Sequence, residues 1–305
     1  MATGSVDAPR MQPQRPLAPG RALVFGASGQ IGRAVLARLL QAGWRVDALS
    51  RHAQPAQPGV RWLRGDLAGS RELPGQVDLV LSCGPLDAFA ARFALGDVAC
   101  ARVIAFGSTS LEVKHDSPDA GERALAQRLR AAEASLFETA AARGIAATVL
   151  RPTLVYGAGR DATLTRIASL ARRLHGFALP ADASGLRQPV HVDDLAAAAL
   201  ACLDVPATHG RAYAVPGGET LPYREMVART LAALPSRPRL LVLPAPLFRA
   251  LLAPARLMGL ASGFGDAALA RMRQDLVFDD APARRDFGYA PRAFAPDAAA
   301  LIPPA

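Results

Sequence analysis

Gly26-Ala27-Ser28-Gly29-Gln30-Ile31-Gly32 lies between a short apolar run, Ala22-Leu23-Val24-Phe25, and a stretch in which Ile31, Val35 and Leu39 recur at helical spacing. The run reads as a buried strand and the recurrence as a helix that Gly43 closes. A Gly-x-x-Gly-x-x-Gly loop at a strand-to-helix junction suits one task. Its glycines permit a tight turn, let backbone approach a pyrophosphate and let the helix pack closely on the strand. The helix N-terminus adds N–H donors and the positive end of its dipole. The alternative is a glycine-rich turn with no ligand. The placement predicts a dinucleotide loop built from Gly26, Ser28, Gly29, Gln30, Ile31 and Gly32.

Working outward, apolar runs at 45–49, 77–81, 103–106 and 147–150 suit parallel strands buried on both faces, with helices between them. Residues 122–143 are helix-rich and end at Gly144. Alternating strand and helix gives an α/β class, a doubly wound parallel sheet. After Arg151-Pro152 the alternation weakens, and helical segments are expected near 163–174, 195–203, 223–234 and 247–257. We therefore expect a nucleotide-binding domain over 21–160 plus 188–205 and a smaller, discontinuous lobe over 161–187 plus 206–305. Residues 1–20, with Pro9, Pro13, Pro16 and Pro19 and no apolar signal core, read as a disordered leader.

The end of the second strand selects the nucleotide. An acid there bonds a ribose 2′-hydroxyl, whereas an arginine accommodates a 2′-phosphate. Ser50-Arg51 occupies that place, Arg33 just inside the first helix is a second cation, and Asp47 lies three residues too early. The pattern favours NADP(H) over NAD(H), the alternative being that Arg51 is a solvated loop residue.

With 51% hydrophobic and 20% charged residues among 305, the chain can bury a large core, which excludes a disordered protein. Its formal charge of +9 resolves into arginine dispersed along the chain, Lys114 being the single lysine. No basic run or aromatic-interleaved basic stretch occurs, so no nucleic-acid partner is expected. The longest apolar stretch, 240–260, is broken by Pro244, Pro246 and Pro254 and carries Arg249 and Arg256, which argues against a membrane span. Core packing is the first reading of its Phe248, Leu251, Leu252, Leu257 and Met258; a roof over a substrate, or a partner or membrane contact, stays open. Cys83, Cys100 and Cys202 are too few and scattered for a disulfide framework, which points to a reducing, cytoplasmic setting.

Further segments join the loop: Gly65-Asp66-Leu67, Ser82-Cys83-Gly84, Gly107-Ser108-Thr109-Ser110, and Leu150-Arg151-Pro152 with Val155-Tyr156-Gly157. Downstream come Pro189-Val190-His191-Val192-Asp193-Asp194-Leu195-Ala196 and Phe287-Gly288-Tyr289-Ala290-Pro291. Together they resemble the extended short-chain dehydrogenase/reductase superfamily, which contains nucleotide-sugar epimerases and dehydratases. The resemblance implies a Rossmann fold with a C-terminal substrate lobe, a small-molecule substrate and a homodimer through the helices flanking the sheet. It adds Asp66, Leu67, Cys83, Gly84 and Pro152 to the cofactor-binding set and gives Ser108 and Thr109 as substrate-orienting hydroxyls.

One departure governs mechanism. The superfamily's usual tyrosine and lysine, four residues apart on the helix before the sixth strand, have no counterpart: counting back from Ala132-Glu133, those positions hold Leu125 and Leu129. Leucine can neither exchange a proton nor hold a ribose. The chain resembles an atypical subgroup that includes the accessory Rossmann-fold subunit of respiratory complex I. The expectation is an NADP(H)-binding oxidoreductase or epimerase-like protein, the alternative a non-catalytic nucleotide-bound redox sensor or complex-stabilising partner.

Other candidates each have a plain reading beside the functional one. Ser108 and Thr109 are equally suited to capping their turn. His115-Asp116 is a substitute proton relay or, more simply, a solvated pair. Tyr156 is expected to line the pocket. His191, Asp193 and Asp194 lack a third metal ligand at ordinary spacing, so no metal is expected and the aspartate is read as a helix cap, with Leu195, Ala199 and Cys202 facing inward. Cys83 reads as a buried, inert thiol.

Overall fold

In the computed structural model, described here for residues 19–69, 72–248, 250 and 266–302, the run Arg21–Phe25 (β1) leads through Gly26–Gly29 into the helix Gln30–Gln41 (α1). Beside β1 lie Arg45–Ser50 (β2) and Val60–Arg64 (β3) on one side. On the other lie Leu79–Ser82 (β4), Arg102–Phe106 (β5), Ala146–Pro152 (β6) and Arg211–Val215 (β11). All seven strands are parallel, in the order β11-β6-β5-β4-β1-β2-β3. The chain builds outward from β1 in one direction and then, from β4, in the other. The order reverses between β1 and β4, and their carboxyl ends frame the crevice in which open α/β sheets bind ligands.

The strands are apolar because both faces are covered. On one face, α1 and the helix Val192–Ala201 (α6) close over Val24, Ala48, Leu81 and Ile104. On the other, Leu86–Ala94 (α2) and Ala120–Ala142 (α4) cover Leu23, Val80, Val103 and Val149. The expected helix between successive strands is absent from the described parts of two connections, 51–59 and 65–78, which are loops and turns. Leu195, Ala199 and Cys202 are buried as expected.

Strand β11 lies beyond residue 205, in the stretch read from sequence as small lobe, yet it completes the sheet. Its Tyr213 and Val215 join the α1/α6 core together with Phe287 and Tyr289. A third apolar cluster packs Tyr156, Ile167, Phe177, Met226, Leu231 and Phe294 around the helices Leu164–Leu174 (α5) and Tyr223–Ala232 (α7). Two-stranded pairs complete this part: Gly176–Pro180 (β8) with Arg239–Leu243 (β13), Leu186–Arg187 (β9) with Leu221–Pro222 (β12), and Val155–Tyr156 (β7) with Val190–His191 (β10). Of the 240–260 stretch, β13 and the buried Phe248 are described; Leu251, Leu252, Leu257 and Met258 lie outside the described residues, as do residues 1–18 of the leader.

Arg102, 1% exposed, ties the sheet to α6. Its Nε donates to the Leu203 carbonyl at 3.0 Å and Nη1 to Val103 and Ala146 carbonyls at 2.9 and 3.0 Å. Nη2 donates to Thr148 Oγ1 at 2.7 Å, the Cys202 carbonyl at 2.8 Å and Thr208 Oγ1 at 3.1 Å. The guanidinium thus satisfies the carbonyls at the C-terminal end of α6, where the helix dipole also favours a cation. No helix among the described residues is long and apolar enough to cross a membrane.

Candidate functional site

The loop after β1 and the end of β4 touch. Gly26 has φ +70°, a left-handed value that favours glycine, and a Cβ there would come within 2.9 Å of the Cys83 carbonyl carbon and the Gly84 nitrogen. At Gly32 a Cβ would overlap the Gly26 carbonyl oxygen and reach Ala27 Cα at 2.8 Å, so only glycine lets α1 sit this close to the strand. Gly29 differs: a Cβ there meets only the Gly26 carbonyl, at 3.1 Å, and the space beyond is open. It is the N-cap of α1, and no side chain accepts from the first amides of the helix. Gln30 Oε1 and Ser82 Oγ are buried with no hydrogen-bond partner. Open space before uncapped amides, beside orphaned polar atoms, fits a dinucleotide pyrophosphate. Gly26, Ser28, Gly29, Gln30, Ile31 and Gly32 would form its cradle, with Cys83 and Gly84 behind.

At the nucleotide-selecting edge, Ser50 Oγ lies 3.3 Å from Ser28 Oγ and donates to the His52 carbonyl at 2.8 Å. Arg33 and Arg51 are exposed there. Asp47, 3% exposed, accepts from Arg21 Nε at 2.6 Å and Arg61 Nε at 2.5 Å, so it is spent on an ion triad inside the sheet. Arg160 escaped the sequence reading: its Nη1 reaches the Ser28 carbonyl at 3.4 Å, and its only signal was its place just after the Val155-Tyr156-Gly157 segment. Leu67 packs near Gly84, with Cδ1 3.0 Å from a Cβ placed there. Asp66 accepts from the Ala68 and Gly69 amides, both at 2.9 Å, and shapes its own turn.

Around the expected reaction centre, Pro152 and Thr109 meet: the Thr109 hydroxyl donates to the Pro152 carbonyl at 3.2 Å, which fixes the loop after β5. Ser108 Oγ accepts from the Ser110 amide at 3.1 Å and, among the described residues, has no acceptor for its own proton. On α4, Leu125 and Leu129 pack into the apolar cluster of that face. Glu133 on the same helix grips Arg151 of β6, accepting from Nε at 3.0 Å and also from Nη2. Glu112 takes Arg151 Nη1 at 2.9 Å. Lys114 stands 3.5 Å from Glu122, which also pairs with Arg271. Burial, then the charge of Arg271, pulls the Lys114 ammonium below its ordinary pKa.

Two expectations are corrected. Tyr156 is 1% exposed, edge-on to His191 and Phe294 at centroid distances of 5.1 and 5.0 Å, and burial raises its pKa; it is a core residue rather than a pocket wall. The cap of α6 is His191, whose Nδ1 accepts from the Asp193 amide at 3.2 Å, and not an aspartate; Asp194 instead takes Arg292. Desolvation, then the Arg292 charge, lowers the His191 pKa. His115 Nε2 and Asp116 pair at 2.5 Å on the exposed surface, in keeping with the plainer reading of a solvated pair. Cys83 carries a thiol that burial pushes far above its usual pKa. Among the described residues no three His, Cys, Asp or Glu side chains gather as a metal-binding group.

A cavity of about 250 Å³ lies in the third cluster, with Leu154, Ile167, Phe177 and Tyr223 on its walls together with Arg166, Arg187 and Arg271. Leu154 is two residues beyond Pro152.

The family model described as NAD dependent epimerase/dehydratase family matches residues 22–90 and 114–215. A 2-alkyl-3-oxoalkanoate reductase of Stenotrophomonas maltophilia (strain K279a) is 28% identical, over 88% of this chain and 94% of that protein. Two solved structures share the fold. The epimerase Mth375 of Methanothermobacter thermautotrophicus has a TM-score of 0.68 at 15% identity, covering 91% of this chain and 89% of its own. Bordetella bronchiseptica WbmF, in complex with NADH, scores 0.64 at 14% identity, covering 90% and 88%. The glycine loop, the seven parallel strands and the matched family model together place the chain in the NAD-dependent epimerase/dehydratase family.

Proposed function

We propose that the chain binds a nicotinamide dinucleotide, NADP(H) in preference to NAD(H), and acts as an oxidoreductase on a small oxo or hydroxy substrate. The observation that carries this reading is the open cradle at Gly29 before the uncapped amides of α1. The preference for a 2′-phosphate rests on Arg33 and Arg51, exposed at the end of β2, and on Asp47 being held by two other arginines. On this reading residues 21–160 and 188–205, with β11, hold the dinucleotide, and the third apolar cluster holds the substrate. The three free cysteines suit a reducing, cytoplasmic setting.

Hydride chemistry is what the bound dinucleotide supplies. The chain's own residues position and protonate. Ser108, with its proton free to donate, orients the substrate oxygen, and Thr109 holds the loop to Pro152 so that Ser108 stays in place. Without the tyrosine and lysine, general acid–base assistance worth on the order of 10²–10⁴-fold is missing unless another group or water replaces it. Reduction of an oxo acid is favoured over epimerisation of a sugar nucleotide by the likeness to the Stenotrophomonas reductase.

Fluorescence titration with NADPH and NADH, on the wild type and on Arg51→Ala and Gly29→Asp, tests the binding. Expected are tighter binding of NADPH, its selective weakening in Arg51→Ala and loss of both in Gly29→Asp. NADPH oxidation with 3-oxo acids and with sugar nucleotides then tests the reaction. The leucines at 125 and 129, packed on an apolar face, favour a second reading, a nucleotide-bound sensor or complex-stabilising protein. Tight NADPH binding with no turnover on either substrate class would select it, and absence of dinucleotide binding would sink both.

A further inference from the structure

Four of the seven large apolar side chains that stand most exposed among the described residues share one part of the surface. Leu241, 51% exposed, and Val242 lie on β13, and Leu247 follows four residues past its end. Leu174, 67% exposed, ends α5. The two places adjoin, because the Arg239 amide that opens β13 donates to the His175 carbonyl at 3.3 Å and β13 runs beside β8 from Arg239 opposite Gly176 onward. The inner side of this strand pair is spent on the third cluster, through Phe177, Leu179, Leu240 and Leu243. Among the described residues no further strand pairs with β13, so it is the edge of its sheet. Single exposed leucines are ordinary, whereas a group of them marks a contact surface.

The charges around these leucines are of one sign. Residues 162–181 and 226–248 contain no aspartate or glutamate. Arg172, Arg173, Arg237 and Arg239 are exposed there, and none of the four forms an ion pair among the described residues. Arg229 on α7 is by contrast held by Glu219 and Glu225, and Asp182, just past β8, is taken by Arg273. Exposed leucines among unpaired arginines are complementary to a layer that is negative outside and apolar beneath, the headgroup region of an anionic bilayer. A second copy of the chain would set the same four arginines against each other. A nucleic acid would leave the leucines in water, and no exposed Phe, Tyr or Trp lies in either segment to stack on its bases. We propose that the surface made by the end of α5 and by β13 docks on anionic membrane surfaces, its leucines at the acyl-chain boundary and its arginines among the lipid phosphates. The docking is peripheral and stands apart from the dinucleotide reading.

Co-sedimentation of the full chain with vesicles of phosphatidylcholine, alone or with one-third phosphatidylglycerol, tests the surface without any dinucleotide present. Binding to the anionic vesicles is expected to be at least tenfold tighter than to the neutral ones at about 0.1 M salt, and to weaken steeply at about 1 M. Arg172→Gln and Arg239→Gln are each expected to weaken it about fivefold, the worth of one cation at such a surface, and Leu241→Ser about tenfold. Leu95→Ser, at a leucine exposed just past α2, is the control and should change nothing. In Leu241→Trp the new indole should shift its emission to the blue on anionic vesicles, and the urea midpoint of every variant should match the wild type. Equal binding to both vesicle types, an effect of Leu95→Ser as large as that of Leu241→Ser, or binding unmoved by the arginine substitutions would overturn the proposal. So would capture of a DNA duplex that Arg239→Gln weakens and Leu241→Ser does not, which assigns the face to a polyanion. Dimerisation that Leu241→Ser abolishes, in the absence of vesicle binding, would overturn it in favour of a second copy. Vesicle binding by a chain that takes no dinucleotide would keep this surface and remove the oxidoreductase reading.

Discussion

Single residues divide the crevice into parts that hold a ligand and parts that hold the fold. On the proposed reading Arg51 belongs to the first: it is exposed at the end of β2, and Arg51→Ala is expected to raise the NADPH dissociation constant about tenfold or more, the worth of one charge-assisted contact, with NADH little changed in the same titration. Gly32 belongs to the second. The methyl group of Gly32→Ala would meet backbone of Gly26 and Ala27, which cannot swing aside, and overpacking of this kind costs about 1–3 kcal/mol. Urea unfolding should show that loss together with weakened dinucleotide binding. His191 is a third case. Its neutral Nδ1 accepts the Asp193 amide, and burial and Arg292 depress its folded pKa below the ordinary value of 6.5, so the unfolded chain binds its proton more readily. The contribution of this group is complete above pH 6.5 and is lost as pH falls below it. His191→Asn, which keeps a capping acceptor, should flatten that part of a stability–pH profile.

At the scale of elements, α4 shows why the missing pair is a property of packing as well as of sequence. Leu129 is 9% exposed within the α2/α4 face of the sheet, so Leu129→Lys would bury an ammonium among apolar neighbours. A loss of about 2–4 kcal/mol in denaturant unfolding is expected, whereas Leu125→Tyr, at a half-buried position, should cost under about 1 kcal/mol. The helix has settled around leucine. Legibility also sorts by element. The glycine loop, α1 and strands β1, β2, β4, β5 and β6 could be read because a fixed glycine spacing and both-face burial leave dense local signals. Strand β11 could not, since Arg211-Ala212-Tyr213-Ala214-Val215 lacks a continuous run of large apolar residues and earns its place only by pairing with β6. The two-residue strands β7, β9, β10 and β12 are too short for any period to show. The cavity arginines at 166, 187 and 271 are scattered along more than a hundred residues, and only folding brings them to one wall.

Over the whole molecule, Arg102 is the most deeply buried charged side chain among the described residues, and it ties the sheet to the end of α6. Its partners lie at residues 103, 146, 148, 202, 203 and 208, so β5, β6 and the end of α6 must all be in place before its bonds can close. Arg102→Met would strand several carbonyls and hydroxyls in the interior, and a loss of about 3–5 kcal/mol in global stability is expected by chemical denaturation. Many arginines at this chain's exposed surface could be lysine as far as charge goes. At Arg102 the choice is chemical: an ammonium has three donors on one atom and cannot face β5, β6 and a helix end at once. A relative rich in lysine that keeps this architecture should therefore retain arginine at the position matching 102, or else have rebuilt the end of α6 around a different anchor.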